Sequence, residues 1–202
     1  MDRTELYSLL LLAGGKSSRM GADKAGLFFH GQTFLQMAMN KAAKLGIHKL
    51  FLSGYRGAEE GGKVIRDIYR NRGPLGGIHA CMKEMDTPYC LVLPVDVPQL
   101  PLWVLEKLLR QHCDCISRAK EKIPLILVHG VREEPLIGVY PTDMVSLIEE
   151  EIREHSASVL KVLNKSGYEC CTVELLPWEA ENINTPEAYE ALLEHDMEKR
   201  GR

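Results

Sequence analysis

The residues with the clearest chemistry lie near the N-terminus. There the apolar run Leu9-Leu10-Leu11-Leu12 breaks into Ala13-Gly14-Gly15-Lys16-Ser17-Ser18-Arg19-Met20-Gly21-Ala22-Asp23-Lys24. Paired glycines let backbone N–H groups approach an anion closely, and Lys16, Arg19 and Lys24 supply the positive charge a polyphosphate needs. Spacing excludes two familiar phosphate loops. A Walker A loop would need glycine at position 10, which is leucine, and the dinucleotide fingerprint needs a third glycine that does not follow Gly14-Gly15 at the required offset.

Three further stretches carry candidate groups. Asp96, in Val95-Asp96-Val97-Pro98, follows the apolar run Tyr89–Pro94. A carboxylate at the end of a buried strand can hold a divalent cation between phosphates, although D-x-P also serves as a helix cap or turn. Asp67 precedes Asn71-Arg72-Gly73-Pro74-Leu75-Gly76-Gly77, where N–H groups at a helix start can meet an anion or a base edge, and where a simple tight turn would also fit. In Asn182-Ile183-Asn184-Thr185-Pro186-Glu187, Thr185 can cap a helix with Pro186 at its first position and Glu187 in its first turn.

The elements that must position these groups alternate between strand and helix. Leu9–Leu12, apolar throughout and bounded by glycine, reads as a strand buried on both faces of a mostly parallel sheet. Thr33 is a candidate N-cap for a helix carrying Phe34, Met37, Ala38, Lys41, Ala42 and Leu45, which Gly46 stops. Strands are expected over His48–Ser53, Val64–Asp67, Tyr89–Pro94, Asp114–Ser117, Ile123–His129, Glu133–Pro141 and Cys170–Leu175. Helices are expected over Gly76–Met85, Leu102–Gln111, Met144–Glu154, Ser156–Lys165 and Pro186–Lys199. The acidic run Glu149-Glu150-Glu151 reads as a solvated face. Loops at the C-terminal edge of such a sheet form the ligand crevice, so the first loop and Asp96 should share one site.

Together these stretches resemble a known family. Residues 12–24 are similar to the L-A-G-G-x-S-x-R-M-G-x-D-K signature of nucleotidyltransferases, and within that superfamily the chain resembles the molybdenum cofactor guanylyltransferases. Gly73-Pro74-Leu75-Gly76-Gly77 is similar to their G-P-L-x-G segment, Asp96-Val97-Pro98 to their C-D-x-P element with Val95 in place of cysteine, and residues 182–187 to N-x-N-T-P-E. Ser53 falls where many relatives carry asparagine, and Glu134 where a histidine is common.

The resemblance implies an α/β chain with a Rossmann-like three-layer α/β/α nucleotidyltransferase fold, residues 1–202 forming a single domain. It implies transfer of GMP from GTP to the phosphate of molybdopterin cofactor, with Mg²⁺ as cofactor. Arg19, Lys24 and Asp96 would be catalytic, and Asp96 would hold the metal. Leu12, Ala13, Gly14, Gly15, Lys24, Asp67, Gly76 and Asp96 would bind GTP, and Asn182 and Asn184 would lie on the acceptor side. Other partners would be proteins of molybdenum-cofactor biosynthesis or molybdoenzyme maturation. A CTP-dependent or sugar-phosphate nucleotidyltransferase, or a non-catalytic nucleotide-binding domain, are the alternatives.

Composition is that of an ordinary globular chain. The 202 residues are 45% hydrophobic and 26% charged, with a formal net charge of -3, which offers no general attraction to nucleic acid or acidic membranes. The six cysteines, Cys81, Cys90, Cys113, Cys115, Cys170 and Cys171, form no C-x-x-C pair and read as reduced thiols in or near strands. With no signal-like N-terminus and no apolar stretch of membrane-spanning length, a cytoplasmic setting is expected.

Overall fold

The structure, a computed structural model, describes residues 3–14, 24–57, 61–118, 122–154 and 158–200. A helical turn α1 (Arg3–Leu6) leads into β1 (Tyr7–Leu12), and the short strands β2 (Phe28–Phe29) and β3 (Gln32–Thr33) precede α2 (Phe34–Leu45). Then come β4 (Leu50–Ser53), β5 (Lys63–Ile65), α3 (Gly73–Met82), β6 (Tyr89–Pro94), α4 (Leu102–Arg118), β7 (Leu125–His129) and β8 (Arg132–Pro141). The chain continues through α5 (Val145–Arg153), α6 (Val159–Ser166), β9 (Glu169–Val173) and α7 (Pro186–Arg200).

Seven strands form one sheet in the order β5-β4-β1-β6-β8-β7-β9. β4, β5 and β6 join β1 in parallel, and β8 alone runs antiparallel to both its neighbours. Alternation along β1 divides the core into the two halves of a Rossmann-like three-layer fold. Leu9 and Leu11 pack with Leu35, Ala38, Ala42 and Leu45 of α2 and with Val104, Leu105, Leu108 and Leu109 of α4. Leu10 and Leu12 pack on the other side with Ile78, Cys81 and Met82 of α3, Ile148 and Ile152 of α5, and Val162 and Leu163 of α6. All six residues of β1 are buried, as a strand covered on both faces requires.

Local chemistry explains several boundaries. Thr33 caps α2 through a reciprocal pair, its hydroxyl accepting from the Gln36 N–H while the Gln36 side chain accepts from the Thr33 N–H. Gly46, at φ +73°, ends the helix. His30 and Gly31, both at positive φ, form the two-residue turn joining β2 to β3, a hairpin absent from the sequence reading.

Three expectations are corrected. Asp114–Ser117 is no strand but the end of α4, because buried His112 and half-buried Cys113 and Ile116 continue the helical stripe of Val104, Leu105, Leu108 and Leu109. α3 begins at Gly73 rather than Gly76, with Pro74 in its first turn. The acidic run on α5 is not a uniformly solvated face: Glu151 is 2% exposed and takes an ion pair from Lys165 at 2.8 Å.

Candidate active site

The first loop leaves the sheet between two others. Ladder hydrogen bonds run just past the strand ends, from the Ala13 N–H to the Ser53 carbonyl (3.0 Å) and from the Val95 N–H to the Leu12 carbonyl (3.2 Å). The exits of β1, β4 and β6 therefore stand side by side. Leu12 and Ala13 are buried and Gly14 is exposed. A Cβ on Gly14 would lie 2.6 Å from the Gly54 Cα, and one on Gly54, itself at φ +73°, would lie 2.5 Å from the Gly14 Cα. Glycine is thus required on both sides of this contact. Gly15 and Arg19 lie outside the described residues.

Lys24 opens a short 3₁₀ turn, Lys24–Gly26. Its ammonium donates to Asp96 Oδ2 at 3.0 Å and to the side-chain oxygen of Asn184. Both partners of the ion pair are only 17% exposed, so it is more shielded than an ordinary surface pair. The Ile183 N–H donates to the Asp96 carbonyl at 2.8 Å. Three stretches that are far apart in sequence therefore meet around Asp96 and the Lys24 ammonium.

Asp96 Oδ1 is buried without a hydrogen-bond partner among the described residues. An orphaned carboxylate oxygen costs free energy unless something satisfies it. A divalent cation fits that atom. Among the described residues no group of three or more histidines, cysteines, aspartates or glutamates gathers to hold a metal, so these residues alone do not complete a cation's ligand shell, to which phosphates and water commonly contribute for Mg²⁺.

Two strands further along the same edge is a second cluster. A Cβ on Gly77 would fall 1.9 Å from Ser53 Oγ and 3.6 Å from Asp67 Oδ1. A Cβ on Gly76 would fall 2.8 Å from the Tyr69 carbonyl oxygen and 3.4 Å from Asp67 Oδ2. Gly76, Gly77, Ser53 and Asp67 therefore close on one another where β4 and β5 end. Asp67 is half-buried, and burial pushes its carboxyl above the usual range. The N-cap residue of α3, Arg72, makes no side-chain capping hydrogen bond, so it leaves first-turn N–H groups without that partner. From β5 to β6 is three strand spacings, roughly 14 Å.

Of the sequence candidates, Lys24, Asp96 and Asn184 are in direct contact, Leu12, Ala13 and Gly14 line the exit of β1, and Asp67 stands against Gly76. Asn182, half-buried, sits in the loop that approaches Asp96 through Ile183. Glu134 is buried on β8, held by Arg132 Nε at 2.7 Å and His129 Nε2 at 3.2 Å. Sequence reasoning missed Gly54, whose need for glycine arises from its contact with Gly14, distant in the chain. It also missed Lys41 on α2, which reaches the Pro98 carbonyl at 2.9 Å and carries no motif.

Known proteins resemble this chain in sequence and in fold. A family model described as "MobA-like NTP transferase domain" matches residues 9–167. A Pseudomonas aeruginosa protein named "Molybdenum cofactor guanylyltransferase" is 32% identical over 185 residues, covering 89% of this chain and 91% of its own. A Clostridium perfringens protein named "Probable molybdenum cofactor guanylyltransferase" is 30% identical over 200 residues, covering 92% of this chain and 96% of its own. The crystal structure of "Molybdopterin-guanine dinucleotide biosynthesis protein A" from Archaeoglobus fulgidus shares the fold at TM-score 0.71 and 18% identity, covering 95% of this chain and 99% of that one. The family match ends before Asn184, yet Asn184 bonds to Lys24 inside it.

Proposed function

The chain belongs to the family of MobA-like NTP transferase domains, and from that premise we propose that it transfers GMP from GTP to the phosphate of molybdopterin cofactor, forming molybdopterin guanine dinucleotide and releasing pyrophosphate. The names of its curated relatives support this reading. The observation that carries it is the contact of Lys24 with Asp96 and Asn184 at the mouth of the sheet.

In the reaction an acceptor phosphate oxygen attacks the α-phosphorus of GTP. A new P–O bond forms, the bond to the β-phosphate oxygen breaks, and its electron pair leaves with pyrophosphate. The attacking phosphate is already ionised at neutral pH, so no general base is needed. Positioning and charge do most of the work in chemistry of this type. Asp96 would hold the divalent ion, Mg²⁺, which supplies charge neutralisation between the phosphates. Lys24 and Arg19 are assigned to the triphosphate, and the backbone of Leu12, Ala13, Gly14 and Gly15 to its close approach. Asp67 and Gly76 are assigned to the nucleoside end, and Asn182 and Asn184 to the acceptor side. We assign residues 1–202 to one catalytic unit working in the cytoplasm; no described helix is long and apolar enough to cross a membrane.

The test is pyrophosphate release from GTP, CTP and ATP, each with molybdopterin and Mg²⁺. Release with GTP, dependent on the acceptor and accompanied by the dinucleotide product, is expected. Release with CTP in preference to GTP would reassign the donor, and no release with any donor would overturn the enzymatic reading.

A further inference from the structure

The segment that carries Asp96 is anchored at three points. Val95 donates its N–H to the Leu12 carbonyl at 3.2 Å, Asp96 accepts from the Ile183 N–H at 2.8 Å, and Pro98 accepts from Lys41 Nζ at 2.9 Å. The first two anchors are backbone to backbone. The third is a side chain reaching from another layer of the fold.

Lys41 lies on α2 next to Ala38, Ala42 and Leu45, all of which are core residues. Lys41 itself is half-buried beside that packing, where a methionine would be less costly. No carboxylate stands within ion-pair distance of it among the described residues, and burial pulls its ammonium down to about 8. Desolvating an amine to meet one neutral carbonyl is an unfavourable use of a lysine unless that carbonyl must be held. The carbonyl belongs to buried Pro98, two residues beyond a carboxylate with one oxygen already on Lys24 and the other without a partner among the described residues.

We propose that Lys41 is a positioning residue: by holding the Pro98 carbonyl it fixes the direction in which Asp96 presents its carboxylate to a divalent cation. The proposal rests on the reading of Asp96 as the metal-bearing residue. It gives α2, which carries none of the family motifs, an indirect part in the site, through Pro98. Outer partners of metal ligands act in this way, and losing one weakens metal affinity about 10- to 100-fold.

The experiment is a titration of Mn²⁺, read by the electron paramagnetic resonance signal of the free ion, with a saturating non-hydrolysable GTP analogue. It is run on wild type, Lys41→Met, Lys41→Arg and Asp96→Asn. Lys41→Met removes the donor and keeps the stem, so its Mn²⁺ dissociation constant should rise about tenfold or more, while affinity for the analogue without metal stays unchanged. Lys41→Arg, which can donate to the same carbonyl, should restore most of the loss. A folded Lys41→Met protein with wild-type Mn²⁺ affinity overturns the proposal. Should that variant not fold, Lys41→Gln, too short to reach Pro98, takes its place with the same two outcomes. Asp96→Asn separates the two levels of inference. If it also binds Mn²⁺ as wild type does, the reading of Asp96 fails and this proposal fails with it. If it loses Mn²⁺ while Lys41→Met does not, only the role of Lys41 is overturned.

Discussion

Lys24 Nζ stands 3.0 Å from Asp96 Oδ2, joining two residues 72 positions apart in the chain. The cation assigned to the triphosphate and the carboxylate assigned to the metal therefore share one electrostatic site. Neither charge can be altered without changing what the other presents to substrate.

Removing the cation gives the first prediction. Lys24→Ala should lose on the order of 2 to 4 kcal/mol of transition-state stabilisation, the usual cost of deleting one preorganised donor at a developing charge. Steady-state kinetics on GTP would show this as a fall in kcat/KM of about 30- to 1,000-fold. A variant that turns over at the wild-type rate would remove Lys24 from the chemistry.

The glycine contact gives the second. Gly54→Ala combines a Cβ placed 2.5 Å from the Gly14 backbone with a φ of +73°, whereas Gly14→Ala carries the clash alone. Backbone cannot yield as a flexible side chain would, so Gly54→Ala should destabilise by about 2 to 4 kcal/mol and Gly14→Ala by about 1 to 3. Urea denaturation midpoints would rank them, and equal midpoints for both variants and wild type would show that the two loops part without cost.

The third concerns acid stability. His112 is 1% exposed, with Nδ1 2.8 Å from the Tyr7 hydroxyl and its ring packed edge-on to Tyr7 and Tyr89. Burial pulls its imidazole from 6.5 down to about 4. A base with a depressed folded pKa takes up protons more readily when unfolded, so its contribution is complete above pH 6.5 and is lost as pH falls towards 4. The loss approaches about 3 kcal/mol. Urea midpoints for wild type should fall through that window, and His112→Phe should flatten the fall; an unchanged slope would assign it to other groups.

How much of this was legible in the chain depends on how local each cause is. The apolar run of β1, the cap at Thr33 and the stop at Gly46 are written in adjacent residues. The meeting of Lys24 with Asp96 could be anticipated because both follow strands that end at the same edge. Gly54 could not, since its need for glycine comes from Gly14 across a parallel strand pair. Lys41 resembles any helical lysine until Pro98 is found at its tip. Glu151 looked solvated because it sits in an acidic run, and only the fold brings Lys165 to it. The misread stretch Asp114–Ser117 carries strand-like residues whose helical stripe shows only when traced back to Val104.

Asn184 allows the fourth prediction, which tests the site from its far side. Its side-chain oxygen accepts from Lys24, so the amide orients the ammonium without neutralising it. Asn184→Asp would place a full negative charge on the same partner. Lys24 would then be held by two carboxylates, and an incoming triphosphate would have to displace one and be repelled by both. Asn184→Ala only removes an acceptor from a charged donor, a loss of about 1 to 2 kcal/mol. The KM for GTP should therefore rise more in the aspartate variant, by roughly tenfold or more, than in the alanine variant. High salt should narrow the gap, because the added repulsion is partly exposed and screened. If alanine proves the more damaging of the two at every salt concentration, Asn184 acts by shape rather than through the charge on Lys24.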